Sequence, residues 1–220
     1  MKKTIINAAV FTSVFMAATA PVMAENVKIS LNDLFANVLT TDEDKAQSTQ
    51  PDISKKVSPI NSIETVNNLA AWQEGNATDP NKILYVTIDP RCPYCKLAYE
   101  NLRPYIKKGM TVRWISTQAL GRSPKAAKLS AAVLRGGPDA HSIMTHTLSH
   151  LTNNAPVTQK EQEQMKQSLD YLFASFKENP SVGSPGVPVA YYVNKTGDFK
   201  MLKDLSEVSV VKQVVADGNF

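Results

Sequence analysis

Cys92 and Cys95 are the chain's only two cysteines, and just two residues separate them. That spacing constrains the reading of everything around it. A disulfide stabilises a fold mainly by closing a long loop in the unfolded chain. A bridge across two residues restrains almost nothing, so the pair is better explained by chemistry than by stability. The local pattern agrees. Residues 82–88 (Lys82-Ile83-Leu84-Tyr85-Val86-Thr87-Ile88) are short, apolar and rich in β-formers, which predicts a buried strand. Asp89-Pro90-Arg91 then turns the chain. Pro93 suits the first position of a helix, where its missing N–H costs nothing. The helix is expected to run to about residue 108, with a kink at Pro104 and a stop at Gly109. Residues 111–115 read as the next strand, giving a strand–helix–strand unit with a right-handed crossover.

Thiol–disulfide exchange needs a thiolate that attacks and a second thiol that can reach the mixed disulfide so formed. At the head of a helix, Cys92 would meet unpaired N–H groups and the positive end of the dipole, lowering its pKa below about 8.5. Cys95, one turn in, would be the less exposed, resolving thiol. Arg91 reads either as an added positive charge or as a solvated side chain. A lone C-x-x-C can also be half of a zinc site. No second such pair exists, and the histidines are His141, His146 and His150. His146 and His150 have metal-compatible i, i+4 spacing, but a polar helix face is the simpler account. No metal and no cofactor is expected.

The ends of the chain bear on compartment and size. Lys2 and Lys3, an apolar run from Ile5 to about Ala20, and Val22-Met23-Ala24 have the layout of a secretory signal peptide, residues 1–24. The run is short for a membrane anchor. Removing it leaves 22 basic against 20 acidic residues, a net charge of +2, too weak to argue for nucleic acid. Residues 25–61 read as an N-terminal segment and linker, with a helix whose apolar face is Leu31, Leu34, Phe35 and Val38. Ser62 is expected to cap a second helix reaching Trp72 and ended by Gly75. Residues 62–220 would form the main domain. Within it, residues 123–178 look helical throughout, in pieces at 124–134, 138–151 and 159–177. Strands at 189–193 and 199–202 flank a hairpin turn, and a last helix covers about 206–215.

The chain resembles the DsbC/DsbG family of periplasmic disulfide isomerases, its DsbG members most closely. The resemblance rests on Trp72-Gln73-Glu74-Gly75, on Asp89-Pro90-Arg91-Cys92-Pro93-Tyr94-Cys95-Lys96, on Arg103-Pro104, and on Pro188-Val189-Ala190-Tyr191-Tyr192. It covers about residues 62–216. It implies an α/β protein of thioredoxin-like fold with an inserted helical subdomain and a short N-terminal dimerisation segment. It implies a homodimer reduced by a DsbD-type membrane protein, acting in the periplasm on unfolded or misoxidised exported proteins. Cys92 matches the attacking cysteine, Cys95 the resolving one, and Pro188 the cis-proline opposite them. A cis bond would turn the backbone of Val187 toward Cys92 and toward an extended substrate; an ordinary trans-proline is the alternative. Pro93 and Tyr94 complete the expected substrate contacts.

Two departures from the family pattern qualify this. Val187 stands where the family usually has threonine, and valine there is more typical of DsbA oxidases. Residues 25–61 number only 37, too few to bury a core like the family's folded N-terminal domain. Their apolar face is expected to dock on a partner subunit by segment exchange, or else on its own catalytic domain. The expected function is isomerising or reducing wrong disulfides. The rivals are a DsbA-like oxidase, a peptide-binding chaperone with incidental cysteines, and a metal-handling protein.

Overall fold

Residues 83–88 are buried on both faces, and this double burial organises the rest. The structure, a computed structural model, describes residues 59–145 and 155–220. The expected signal peptide, the helix with the Leu31, Leu34, Phe35 and Val38 face, the linker up to residue 58, and His146 and His150 lie outside the described residues.

The elements, in chain order, are α1 (Ile63–Asn67), β1 (Trp72–Glu74), β2 (Ile83–Ile88), α2 (Pro93–Ile106), β3 (Thr111–Ser116), α3 (Pro124–Arg135), α4 (Gly137–Thr145), α5 (Gln159–Glu178), β4 (Val189–Val193), β5 (Phe199–Lys203) and α6 (Val208–Asp217). The five strands form one sheet in the order β1-β3-β2-β4-β5. β2 and β3 are parallel, as the strand–helix–strand pattern requires; the other pairings are antiparallel.

Side chains alternate across a strand, and here that alternation builds two cores. Leu84, Val86 and Ile88 of β2, Val112 and Trp114 of β3, and Ala190 and Tyr192 of β4 face α2, α3, α4 and α6. Ile83, Tyr85, Ile115, Val189, Tyr191 and Val193 face α1 and α5. A strand buried on both sides needs apolar residues at nearly every position, which is why β2 and β4 read as unbroken runs.

Helix starts follow local chemistry. Ser62 accepts from the Thr65 N–H at 3.3 Å and Ser123 from the Ala126 N–H at 3.1 Å. Thr158 and Glu161 form a reciprocal capping box at the head of α5. Arg135, the last residue of α3, grips that same Glu161 at 2.6 Å and the Pro156 carbonyl at 2.8 Å. The Arg135 guanidinium holds the Glu161 carboxyl down to about 2.

The expected helix from Ser62 to Trp72 is corrected. α1 stops at Asn67, and Trp72 begins an edge strand paired with Trp114. The cause lies far along the chain. The Arg113 guanidinium donates to the Asn67 carbonyl at 2.8 Å and the Leu69 carbonyl at 3.1 Å, taking up acceptors a longer helix would have used internally. Gly75 therefore ends a strand rather than a helix. Pro104 falls in the last turn of α2, so little helix lies beyond it to be redirected.

Gly75 is also held by lack of space. Its φ is +103°, and an added Cβ would lie 2.4 Å from Thr111 Oγ1 and 2.7 Å from Thr111 Cα. Gly75→Ala should lower stability by about 1–3 kcal/mol from backbone conformation alone, with the overlap adding to it. A urea titration followed by Trp fluorescence measures the loss.

Candidate active site

The site begins where β2 ends. The Cys92 N–H donates to the Asp89 carbonyl at 2.9 Å, closing the Asp89-Pro90-Arg91 turn. Cys92 is the N-cap residue of α2, with extended φ and ψ of −77° and 119°, and Pro93 opens the helix. The Cys92 carbonyl accepts from the N–H groups of Cys95 at 3.1 Å and Lys96 at 3.2 Å. Both cysteines are free. Cys92 is 4 % exposed and Cys95 fully buried.

Opposite them stands the start of β4. The β2–β4 ladder pairs Thr87 with Val189. Continued in the same register, it sets Pro188 beside Ile88 and Val187 beside Asp89. The Val187–Pro188 peptide bond is cis. The Cys92 S–H points to the Val187 carbonyl at 3.7 Å. The Val187 N–H has no partner among the described residues. The structure therefore brings Cys92, Cys95, Val187 and Pro188 together, while Pro93 and Tyr94 are exposed beside them. Leu97 is also exposed, as is Leu120, at 54 %.

The two sulfurs differ in charge preference. Cys92 is drawn well below the ordinary thiol range, to about 6, chiefly because the Cys95 S–H donates to it. Burial opposes this, and the N–H groups of Cys95 and Tyr94 add to the lowering. Cys95 is pushed well up, mainly by its burial and then by its neighbour. The helix start thus contributes through individual N–H groups, but the larger cause is the second sulfur.

Arg91 is neither a free charge nor a solvated side chain. Its guanidinium forks onto Asp89, Nε to Oδ1 at 3.1 Å and Nη2 to Oδ2 at 2.8 Å. The sequence reading missed Asp89 as a buried carboxylate at the site. An aspartate two residues before an arginine on a tight turn was the available signal. His141 Nδ1 is 2.7 Å from the Tyr99 hydroxyl. Among the described residues, no three His, Cys, Asp or Glu side chains gather as a metal-binding group. A cavity of about 620 Å³ lies between residues 118–127 and α5, and neither cysteine lines it.

No family model matches the chain. It is 26% identical over 133 residues to the thiol:disulfide interchange protein DsbG of Pseudomonas aeruginosa, covering 58% of this chain and 48% of that protein. It is 25% identical over 149 residues to DsbG of Escherichia coli, covering 66% of this chain and 57% of that one. The chain thus spans about half the length of these curated relatives. Among solved structures, a periplasmic thioredoxin-like protein from Salmonella enterica serovar Typhimurium superposes with a TM-score of 0.52 at 18% identity, over 70% of this chain and 94% of that one. The fold is thioredoxin-like. Within that class, the chain is similar to DsbG.

The ionisation of Cys92 is directly measurable. In the reduced protein, alkylation by iodoacetamide should reach half its maximal rate near pH 6, with Cys95 unlabelled at that pH. From about pH 6 up to the ordinary thiol range, the unfolded chain keeps the Cys92 proton and the folded chain does not. The Cys92 contribution to stability therefore rises with pH across that window and is lost as pH falls through about 6. Denaturation of the reduced protein across that range gives an independent check.

Proposed function

We propose that the chain is a thiol–disulfide oxidoreductase that isomerises or reduces wrong disulfides in exported proteins, with Cys92 attacking and Cys95 resolving. The observation that carries the proposal is the pairing of two unlike sulfurs at one helix start. One is held toward its anion, and the other is buried, protonated and donating to it. The Cys92 thiolate attacks one sulfur of a substrate disulfide. A Cys92–substrate disulfide forms and a substrate thiolate leaves. If a substrate thiolate then attacks the substrate sulfur of that mixed disulfide, a new substrate disulfide forms and the Cys92 thiolate is released. The net change is isomerisation. If Cys95 loses its proton and attacks Cys92 Sγ, the substrate leaves reduced by two electrons and Cys92–Cys95 is oxidised.

The substrate is an extended polypeptide, held by backbone pairing to Val187 ahead of Pro188, with Pro93 and Tyr94 as flanking contacts. The Val187 N–H, without a partner among the described residues, and its carbonyl at the sulfur favour this over a small-molecule substrate, and they make side-chain selectivity loose. Isomerisation needs a reduced pair, maintained by a DsbD-type membrane reductant. Export to the periplasm through residues 1–24 and a homodimer joined by residues 25–61 complete the proposal. The DsbG similarity and the weak net charge of the chain are in keeping with it.

Val187 supports a second reading, a DsbA-like oxidase, since the resemblance leads one to expect threonine there. Insulin reduction and refolding of scrambled ribonuclease separate the two. Recovery of ribonuclease activity by the reduced protein is expected, and no recovery would favour the oxidase. Cys92→Ala should abolish both activities. Full function in that variant would point to a chaperone instead. Cys95→Ala should accumulate a Cys92-linked mixed disulfide with substrate, visible on non-reducing gels.

Light scattering on the chain lacking residues 1–24 should report a dimer at micromolar concentration. A monomer there would remove the exchanged-segment arrangement.

A further inference from the structure

Asp89 carries a charge that thiol exchange does not itself use. Its carboxylate is fully buried, three residues before the attacking sulfur, and four N–H groups hold it. Oδ1 accepts from the Arg91 backbone N–H at 2.9 Å and from Arg91 Nε at 3.1 Å. Oδ2 accepts from Arg91 Nη2 at 2.8 Å and from the Leu120 N–H at 3.0 Å. Arg91 Nη2 also donates to the Gly121 carbonyl at 2.7 Å. One ion pair thus ties the Cys92 turn to the segment that follows β3. That segment is anchored from behind as well. The Ile88 carbonyl takes both the N–H and the hydroxyl of Thr117, at 2.8 and 3.1 Å, and the Ser130 hydroxyl donates to the Thr117 carbonyl at 2.9 Å.

We propose that Asp89 and Arg91 are positioning residues for the exchange reaction. Their fork fastens the Cys92 turn to residues 120–121, keeps exposed Leu120 at the rim of the site, and offsets beside the sulfur a carboxylate that would repel its anion. This rests on the exchange function proposed for Cys92. A buried carboxylate is retained only when paired. Here the partner also joins two loops, the Cys92 turn and residues 120–121. After the hydrogen bond between the sulfurs and their burial, the charge of Asp89 acts to raise both cysteines, so what neutralises Asp89 matters to the thiolate. Among the described residues, the other ionisable groups beside Cys92 on α2 are Cys95, Tyr94 and Lys96, and Lys203 Nζ reaches the Ser184 carbonyl at 3.0 Å in the segment that leads to Val187. Residues 117–121 and 183–188 contribute none.

The test is the pH profile of Cys92 alkylation in the full chain, with exchange against a peptide disulfide measured in parallel. Arg91 is partly exposed, so its variants should fold. Arg91→Gln leaves the Asp89 charge unopposed, and the alkylation midpoint should rise by about one pH unit. Adding Asp89→Asn removes both charges, and the midpoint should return toward that of the unmodified protein. Arg91→Lys keeps the charge and loses the fork, so the midpoint should hold while peptide exchange slows several-fold. An unmoved midpoint in Arg91→Gln overturns the proposal. So does a double variant that stays as high as the single one, or an Arg91→Lys variant with unimpaired exchange. An ordinary thiol midpoint in the unmodified protein would remove the exchange function, and this inference with it. A low midpoint there with unresponsive variants removes this inference alone.

Discussion

Everything at the site is hung from β2, hydrogen-bonded on both edges and buried on both faces. Its parallel pairing with β3 demands a crossover, and α2 supplies it. Its antiparallel pairing with β4 fixes which residue of the returning chain lies beside the end of β2. The two neighbours meet at one place: the turn after Ile88, where Cys92 begins α2 and Val187 faces it. A one-residue slip in the β2–β4 register would exchange the faces of every β4 side chain. Tyr191 would leave its buried hydroxyl pair with Ser175. Core burial on both sides of the sheet therefore also sets the distance from sulfur to carbonyl at the site.

A second assembly holds the helices against that sheet. Trp72, Glu74, Tyr99, Arg103 and Trp114 are scattered over 43 positions of the sequence but form one cluster. Glu74 accepts from the Trp114 indole N–H at 2.9 Å and pairs with Arg103. Arg103 also donates to the Tyr99 hydroxyl at 3.2 Å, and that hydroxyl meets His141 on α4. Trp72 stacks on Tyr99 at 6.0 Å, and Gly136 leaves room for its indole, since a Cβ there would come within 2.4 Å of the ring. Two of the sequence stretches that carry the DsbG resemblance, around Trp72 and around Arg103, are thus parts of one structural contact. They fix α2 and the α3–α4 junction to the edge of the sheet, away from the sulfurs.

What the sequence revealed divides along the range of the forces involved. The Cys92 helix start was legible because Pro93 and the preceding β-rich run act locally. The β4 strand was legible because double burial writes itself as a continuous apolar run. The early end of α1 was not, since it depends on Arg113, 46 residues beyond Asn67. Arg91 was misjudged for a related reason: its partner is only two residues away, but the burial that makes Asp89 need a partner is tertiary. The lowering of Cys92 was expected from the unpaired N–H groups and the dipole at the head of the helix. The Cys95 S–H proves the larger cause, and a donor–acceptor relation between two thiols needs coordinates to be seen.

The inequality of the sulfurs bears on which way the proposed mixed disulfide resolves. A low-pKa thiol is a good leaving group, so a substrate disulfide on Cys92 is labile to a thiolate that attacks its substrate sulfur and expels Cys92. Two thiolates compete, one from the substrate and one from Cys95. Once Cys92 is bonded to substrate, its charge and its acceptor role toward Cys95 are gone. The burial that dominates the elevation of Cys95 remains. Each pKa unit above ambient pH cuts the thiolate fraction about tenfold, so a raised Cys95 offers a smaller thiolate fraction than an ordinary substrate thiol. Intramolecular proximity works the other way, giving Cys95 a high effective concentration. The outcome turns on whether burial or proximity is the larger factor. Under the proposed isomerase function, the full burial of Cys95 is the feature that would favour the substrate thiol.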